Sequence, residues 1–313
     1  MRPVPSSPGV QVRVPAKVNL ELQVGPRRDD GYHSLATVFH AVNLTDDVRV
    51  TPAPQWGCTV RGPYAAAVPT DTDNLAVRAV QLLGERFGIE EMLQVDIDKH
   101  IPVAGGMAGG SADAAAALVA ADALWSLGLT RADLMAIGAE IGSDVPFAIA
   151  GGTALGSGRG EVLAPVLTQA DFHWVFALQH EGLSTPRVYA ECDRLRGKEP
   201  VPAPEPSGAL MAALRSGDVD ELAPHLRNDL EDAALSLMPR LRDVIDTGMD
   251  AGACGAVVCG SGPTVAFLCA SHHLALDLMV TLSASKVADD VVRAVGPAPG
   301  AHVVTDLHSV GPA

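Results

Sequence analysis

The chemistry of this 313-residue chain concentrates in one stretch, "PVAGGMAGGSADAAA", Pro102 to Ala116. Gly105, Gly106, Gly109 and Gly110 permit positive φ and close backbone approach to a ligand. Ser111 and Asp113 sit at the start of a strongly helical alanine run. Free N–H groups at a helix start, reinforced by the macrodipole, hold phosphate without a loop lysine. The chain has no G-x-x-x-x-G-K-[ST], so the P-loop solution is excluded. The G-x-G-x-G of Gly156, Gly158 and Gly160 precedes a strand and lacks dinucleotide spacing. No H-R-D loop, D-F-G triplet or G-x-S-x-G elbow is present, and no second histidine follows His180-Glu181 at zincin spacing. Taken alone, the glycines serve tight helix–sheet packing equally well.

Other reactive residue types stand in ordinary places. Asp144 lies in a G-S-D-V-P-F turn, where aspartate is common. Lys17 is a mid-strand lysine of the kind that edges or snorkels. Asn19 shares its strand face, so one ligand can touch both side chains. Tyr32 and His33 occupy a glycine-containing turn, Tyr189 a helical stretch, and Lys99 the end of an alternating strand, where it could equally face solvent.

The elements that must position them are readable from periodicity. Residues 10–24, 46–53, 57–62 and 93–102 alternate as strands. Residues 70–88 form a helix with an aspartate before its apolar set and Gly88 closing it. Helices follow at about 111–127 and 130–142, the second capped by Thr130, then a loop and a glycine-rich hairpin over 143–166. The second half brings a strand at 173–180, a helix at 184–195, a Pro-rich loop at 197–208, helices to 248, two strands around a glycine turn at 255–270, and a final helix and strand. This is α+β, in two halves joined near residue 167.

Composition narrows the class. The formal charge of −15 leaves no basic surface for nucleic acid. Five cysteines without a C-x-x-C pair support neither a disulfide framework nor a zinc knuckle and suit a reducing cytoplasm. No signal peptide and no run of about 18 to 20 apolar residues is present, so a cytoplasmic protein without membrane contact is expected.

The segments PAKVNL (15–20), DGYHSL (30–35), DNL (73–75), GSDVPF (142–147), NDLE (228–231) and CGSGPT (259–264) occur in this order around the glycine loop. Together, over roughly residues 12–270, they resemble the GHMP kinase superfamily. PAKVNL, DGYH and GSDVPF resemble its branch acting on a cytidine-diphosphate-linked methylerythritol in the non-mevalonate isoprenoid pathway. The resemblance implies a two-domain GHMP fold, residues 1–167 and 168–313, with the active site in the interdomain cleft. It implies ATP as co-substrate, Mg²⁺, and phosphorylation of the acceptor's 2-hydroxyl. Asp144 would be the base with Lys17 beside it, and Asn19, Tyr32, His33 and Tyr189 would hold the acceptor. Asn74, Leu75 and Lys99 would lie on the adenine side. The ATP loop would run through Pro102, Val103, Ala104, Gly105, Gly106, Met107, Ala108, Gly109, Gly110, Ser111 and Ala112, with Ser111 toward the metal and the CGSGPT turn leaning on it. A β-branched residue at Gly109 is expected to obstruct phosphate while sparing the fold. Ala108 replaces the family's usual glycine and Ala112 a common second serine. Homoserine or mevalonate kinases of the superfamily have no base for Tyr32 and His33 to bind, and a non-catalytic nucleotide sensor would lack Asp144 or Lys17.

Overall fold

Strand β1 (Val10–Arg27) buries Val12, Val14, Ala16, Val18 and Leu20 on one face. Its other face buries Lys17, Asn19 and Glu21, so polar groups are enclosed there and must find partners. These positions come from a computed structural model that describes residues 9–103 and 105–304, which leaves Ala104 outside the described residues. Strand β2 (His33–Ala53) pairs antiparallel with β1 along almost its whole length. The sequence suggested a strand only from Asp46, but residues 33–45 hold no Gly or Pro to stop the ladder, and Asn43 falls in a bulge without ending it. Register shifts at Pro15/Ala16 and Asn19/Glu21 absorb the twist instead.

The chain continues through β3 (Gly57–Arg61), α1 (Leu75–Phe87), β4 (Met92–Asp98), α2 (Gly109–Trp125), α3 (Arg131–Ile141), α4 (Val145–Ala150), β5 (Thr153–Gly158) and β6 (Val162–Pro165). It then forms β7 (Phe172–Leu178), α5 (Thr185–Arg196), α6 (Gly208–Ser216), α7 (Val219–Leu222), β8 (Arg227–Asn228), α8 (Glu231–Leu237), α9 (Leu241–Asp250), β9 (Gly255–Val258), β10 (Val265–Cys269), α10 (His272–Ser285), β11 (Asp290–Gly296) and β12 (His302–Val303).

Two sheets result. The first runs β12-β1-β2-β4-β3, with the β5–β6 hairpin on β2 and β8 on β1. The second is antiparallel, β11-β7-β10-β9. The path passes between sheets after Pro165 and before Phe172, yet β8 and β12 return to β1 from far beyond that crossing. Helix α2 packs across β1 and β2 and is buried from Ala112 to Leu118. It is alanine-rich because a helix enclosed on every side must let its neighbours close to the backbone.

Local chemistry sets several boundaries differently from the sequence reading. The cap of α1 is Asn74, whose side chain accepts from the Ala76 N–H, rather than the preceding aspartate. Residues 145–150, read as loop, form a helix because Pro146 falls in the first turn, where its missing N–H costs nothing. Thr130 and Asp133 make a full capping box at α3.

Candidate active site

On the polar face of β1, Lys17 Nζ donates to Asn19 Oδ1 at 2.6 Å and to the Gly106 carbonyl at 2.8 Å. Asn19 relays to Thr37 Oγ1 at 2.8 Å, which donates to the Glu21 carbonyl at 2.7 Å. Two of the ammonium's three protons are thereby spoken for. Asp144 Oδ2 stands 3.9 Å from the same nitrogen. Asp144 precedes α4, but its side chain makes no cap hydrogen bond. An aspartate that merely ended a turn or began a helix would be engaged there; this one faces the cleft with Lys17.

The cleft encloses about 1210 Å³ between the β1–β2 face, the glycine loop, α5 and the CGSGPT turn. Leu75, Pro102, Gly105, Gly106, Ala108, Gly109, Gly110 and Ser111 line it. Helix α2 starts at Gly109, two residues before the expected Ser111. Its N-cap is Ala108 in the left-handed region (φ 61°), and no side chain caps the helix. First-turn amides are thus left without a side-chain acceptor, which suits an anion.

The glycines divide their work. A Cβ on Gly106 would overlap the Cys259 carbonyl, and one on Gly105 would lie 2.6 Å from Thr264 Oγ1. These two glycines let the loop lie against the CGSGPT turn of the second half. The Gly260 carbonyl of that turn accepts from Asn228 Nδ2 at 2.7 Å, and Ser261 Oγ is 2.8 Å from Thr185 Oγ1. Gly109 behaves otherwise than expected. A Cβ there would point inward, 3.0 Å from Lys99 Nζ and 3.2 Å from Ile101 Cγ2, so valine would damage the loop itself.

Five residues expected on the nucleotide side stand off the cleft wall. Lys99 is neither solvent-facing nor on the cleft. It is 1% exposed, in phase with buried Leu93, Val95 and Ile97, and bonded there to Asp46 and Asp113. Burial works most strongly against its charge, yet Asp113 and Asp46 together hold the ammonium above its usual range. Asn74 is buried, its Oδ1 capping α1 and its Nδ2 donating to the Pro69 carbonyl at 2.8 Å, so its amide is spent. Met107 and Ala112 are buried in the core, and Val103 is half-buried off the cleft wall.

Across the cleft, Tyr32 is 57% exposed at the mouth, with the Arg159 guanidinium 5.4 Å from its ring centre. His33 is buried; its ring centroid lies 5.1 Å from that of Tyr189, and its Nε2 is 2.9 Å from Asp193 Oδ1. Burial pushes the Tyr189 phenol upward, so its hydroxyl stays neutral. Arg159 and Asp193 escaped the sequence reading. Asp193 was findable, being one helical turn after Tyr189 and so on the same face of α5. Arg159 sits at the tip of the glycine hairpin, where nothing local announces a role.

Among the described residues no cluster of three His, Cys, Asp or Glu could hold a metal alone. Mg²⁺ usually takes one or two protein oxygens, with phosphates and water completing its shell. The Ser111 hydroxyl and Asp144 carboxylate, both on the cleft wall, are oxygens of that kind.

Residues 74–152 match the GHMP kinases N terminal domain and residues 210–285 the GHMP kinases C terminal domain. A 4-diphosphocytidyl-2-C-methyl-D-erythritol kinase of Mycolicibacterium smegmatis is 55% identical over 300 residues, 94% of this chain and 92% of its own. One of Nocardia farcinica is 54% identical, covering 94% of this chain and 96% of its own. A crystal structure of 4-(cytidine 5'-diphospho)-2C-methyl-D-erythritol kinase superposes with a TM-score of 0.73 at 32% identity, over 91% of this chain and 98% of the other. A homoserine kinase of Cytophaga hutchinsonii shares the fold alone, with a TM-score of 0.72 at 20% identity over 95% of this chain and 97% of its own. The chain belongs to the GHMP kinase family and, within it, groups with the 4-diphosphocytidyl-2-C-methyl-D-erythritol kinases.

Proposed function

We propose that this enzyme transfers the γ-phosphoryl group of ATP to the 2-hydroxyl of 4-diphosphocytidyl-2-C-methyl-D-erythritol, in the cytoplasm, as a step of non-mevalonate isoprenoid synthesis. The observation that carries this reading is the Lys17–Asp144 pair, 3.9 Å apart on the same cleft as the uncapped start of α2. Residues 1–167 and 168–313 form the two domains in this reading, the chain crossing between sheets at their junction.

Phosphoryl transfer asks a protein mainly to position reactants and offset charge. The amides of Gly109, Gly110 and Ser111 receive the β- and γ-phosphates. Ser111, with the nucleotide's own phosphates, would hold Mg²⁺, which would offset their charge. Lys17 sets a positive charge 3.9 Å from the Asp144 carboxylate. The Asp144 carboxylate takes the 2-hydroxyl proton as that oxygen bonds to the γ-phosphorus; the bond to the β–γ bridging oxygen breaks and ADP leaves.

Tyr32 and Tyr189 hold the cytosine between them. A proton on His33 Nε2, donated to Asp193, leaves Nδ1 an acceptor, the match for an exocyclic amine. Arg27 and Arg159 line the same part of the cleft and supply cations suited to the acceptor's diphosphate.

The test is an ADP-release assay over the full acceptor, 2-C-methyl-D-erythritol 4-phosphate, homoserine and mevalonate. Only the full acceptor should turn over efficiently. Base stacking is worth roughly 1 to 3 kcal/mol, so Tyr32→Ala should raise its KM by about 10- to 100-fold and leave the KM for ATP unchanged. Equal turnover of the truncated acceptor would overturn the cytidine assignment.

A further inference from the structure

Behind the glycine loop lies a buried ionic group, in which only Asp113 Oδ1 lacks a partner among the described residues. Lys99 Nζ donates to Asp46 Oδ2 at 2.6 Å, to Asp113 Oδ2 at 2.7 Å and to the Gly109 carbonyl at 2.9 Å. An ammonium has three protons, so this one has none left for a ligand. Asp46, from β2, also accepts the backbone N–H of His100 at 2.6 Å and of Ile101 at 2.8 Å with its other oxygen. It therefore anchors the chain as it leaves β4 for the loop. Asp113 reaches the same nitrogen from the second turn of α2.

The Gly109 carbonyl is the informative partner. The peptide joining Gly109 to Gly110 is planar and trans, so its C=O and N–H point in opposite directions. With the carbonyl held inward on Lys99, the Gly110 N–H is aimed outward, toward the cleft that Gly110 lines. The absence of a side chain on Gly109 is what lets Nζ come this close.

We infer that Lys99, held by Asp46 and Asp113, is a positioning residue for ATP: it fixes the peptide that presents the Gly110 amide to the phosphates, and it never touches the nucleotide. The inference rests on the kinase reading above. It replaces an adenine contact with a tether behind the loop, and it makes nucleotide affinity depend on a group the nucleotide cannot reach.

Removing Lys99 outright strands two buried carboxylates, and Lys99→Met is expected to fold poorly. Asp113→Asn is the working probe, because it keeps the shape and leaves the Lys99–Asp46 pair. Well below its melting temperature, Asp113→Asn should raise both the KM for ATP and the Kd for ADP, measured by calorimetry. The expected rise is roughly 10-fold, the order seen when a supporting partner of a ligand-holding group is lost. The acceptor KM should stay within about twofold of the parent, since no part of the tether faces the acceptor. Unchanged ADP affinity in a folded Asp113→Asn would overturn the tether and leave the kinase reading intact. Equal rises for ATP and acceptor would overturn it as well, showing a general distortion of the cleft. A parent enzyme that neither binds ADP nor turns over would overturn both readings together.

Discussion

Asp144 keeps its carboxylate in the cleft because its own helix start makes no use of it. Asp144→Asn preserves the shape and removes the proton acceptor, so kcat should fall by ~10² to 10⁴ while the KM for ATP changes little. Steady-state kinetics will decide this. A variant that retains most of its turnover would mean the hydroxyl proton leaves late, to phosphate. Lys17 and Asn19 were legible as a pair because strand alternation puts residues two apart on one face. Lys99 was half legible: strand alternation puts it in phase with buried Leu93, Val95 and Ile97, but local pattern cannot name a partner 53 residues away, and Asp46 and Asp113, from β2 and α2, are what balance its buried charge. Asn74 shows the reverse case: an asparagine directly before an apolar helical run is a cap by local rule, and the capping role is the one it plays.

Helix α2 carries a strain that its sequence only half reveals. Ala108 stands where a glycine is usual, and it adopts φ 61°, a region that costs an L-residue with a Cβ about 1 kcal/mol or more. Ala108→Gly should relieve that cost, stabilising the enzyme by about 1 kcal/mol and raising Tm by roughly 2 °C. Thermal unfolding of the two proteins side by side is the measurement. A lower Tm in Ala108→Gly would show that the added freedom of the unfolded chain outweighs the relief. Helix α3, with its Thr130 cap, was readable to the residue. The start of α2 was not, since glycines read as breakers and only a bonded first turn shows that Gly109 and Gly110 belong to the helix. The unbroken β2 was hidden for a different reason: both of its faces are covered, so the alternation that marks a half-buried strand fades.

At the scale of the whole molecule, the two sheets meet around His40. Its ring lies 5.9 Å from that of Phe172 and 6.1 Å from that of Trp174, both on β7, and its Nδ1 is 2.9 Å from Thr153 Oγ1. Burial pushes the imidazole down from 6.5 to about 4, with the Gly296 backbone pulling weakly the other way. Between those values the unfolded chain binds a proton that the folded one refuses. Stability contributed by neutral His40 is therefore complete above pH ~6.5 and is lost as pH falls toward ~4. The loss is of order 3 kcal/mol at one pKa unit per 1.36 kcal/mol. Melting curves from pH 7 to 4.5 should fall less steeply in His40→Gln than in the parent. Parallel curves would show that His40 takes its proton without disturbing the junction.

Strand β12 pairs Val303 with Val12 and His302 with Arg13, and β8 pairs with Glu21 and Leu22 along the same outer edge of β1. On the ribosome this means that β1 emerges long before the strands that cover its outer edge. At synthesis rates of about 5 to 20 residues per second, the bare edge of β1 persists for on the order of tens of seconds. During that interval its unpaired amides and carbonyls offer a template to any neighbouring nascent chain. Slow codons between β2 and β12 should consequently lengthen the window in which two unfinished copies can join.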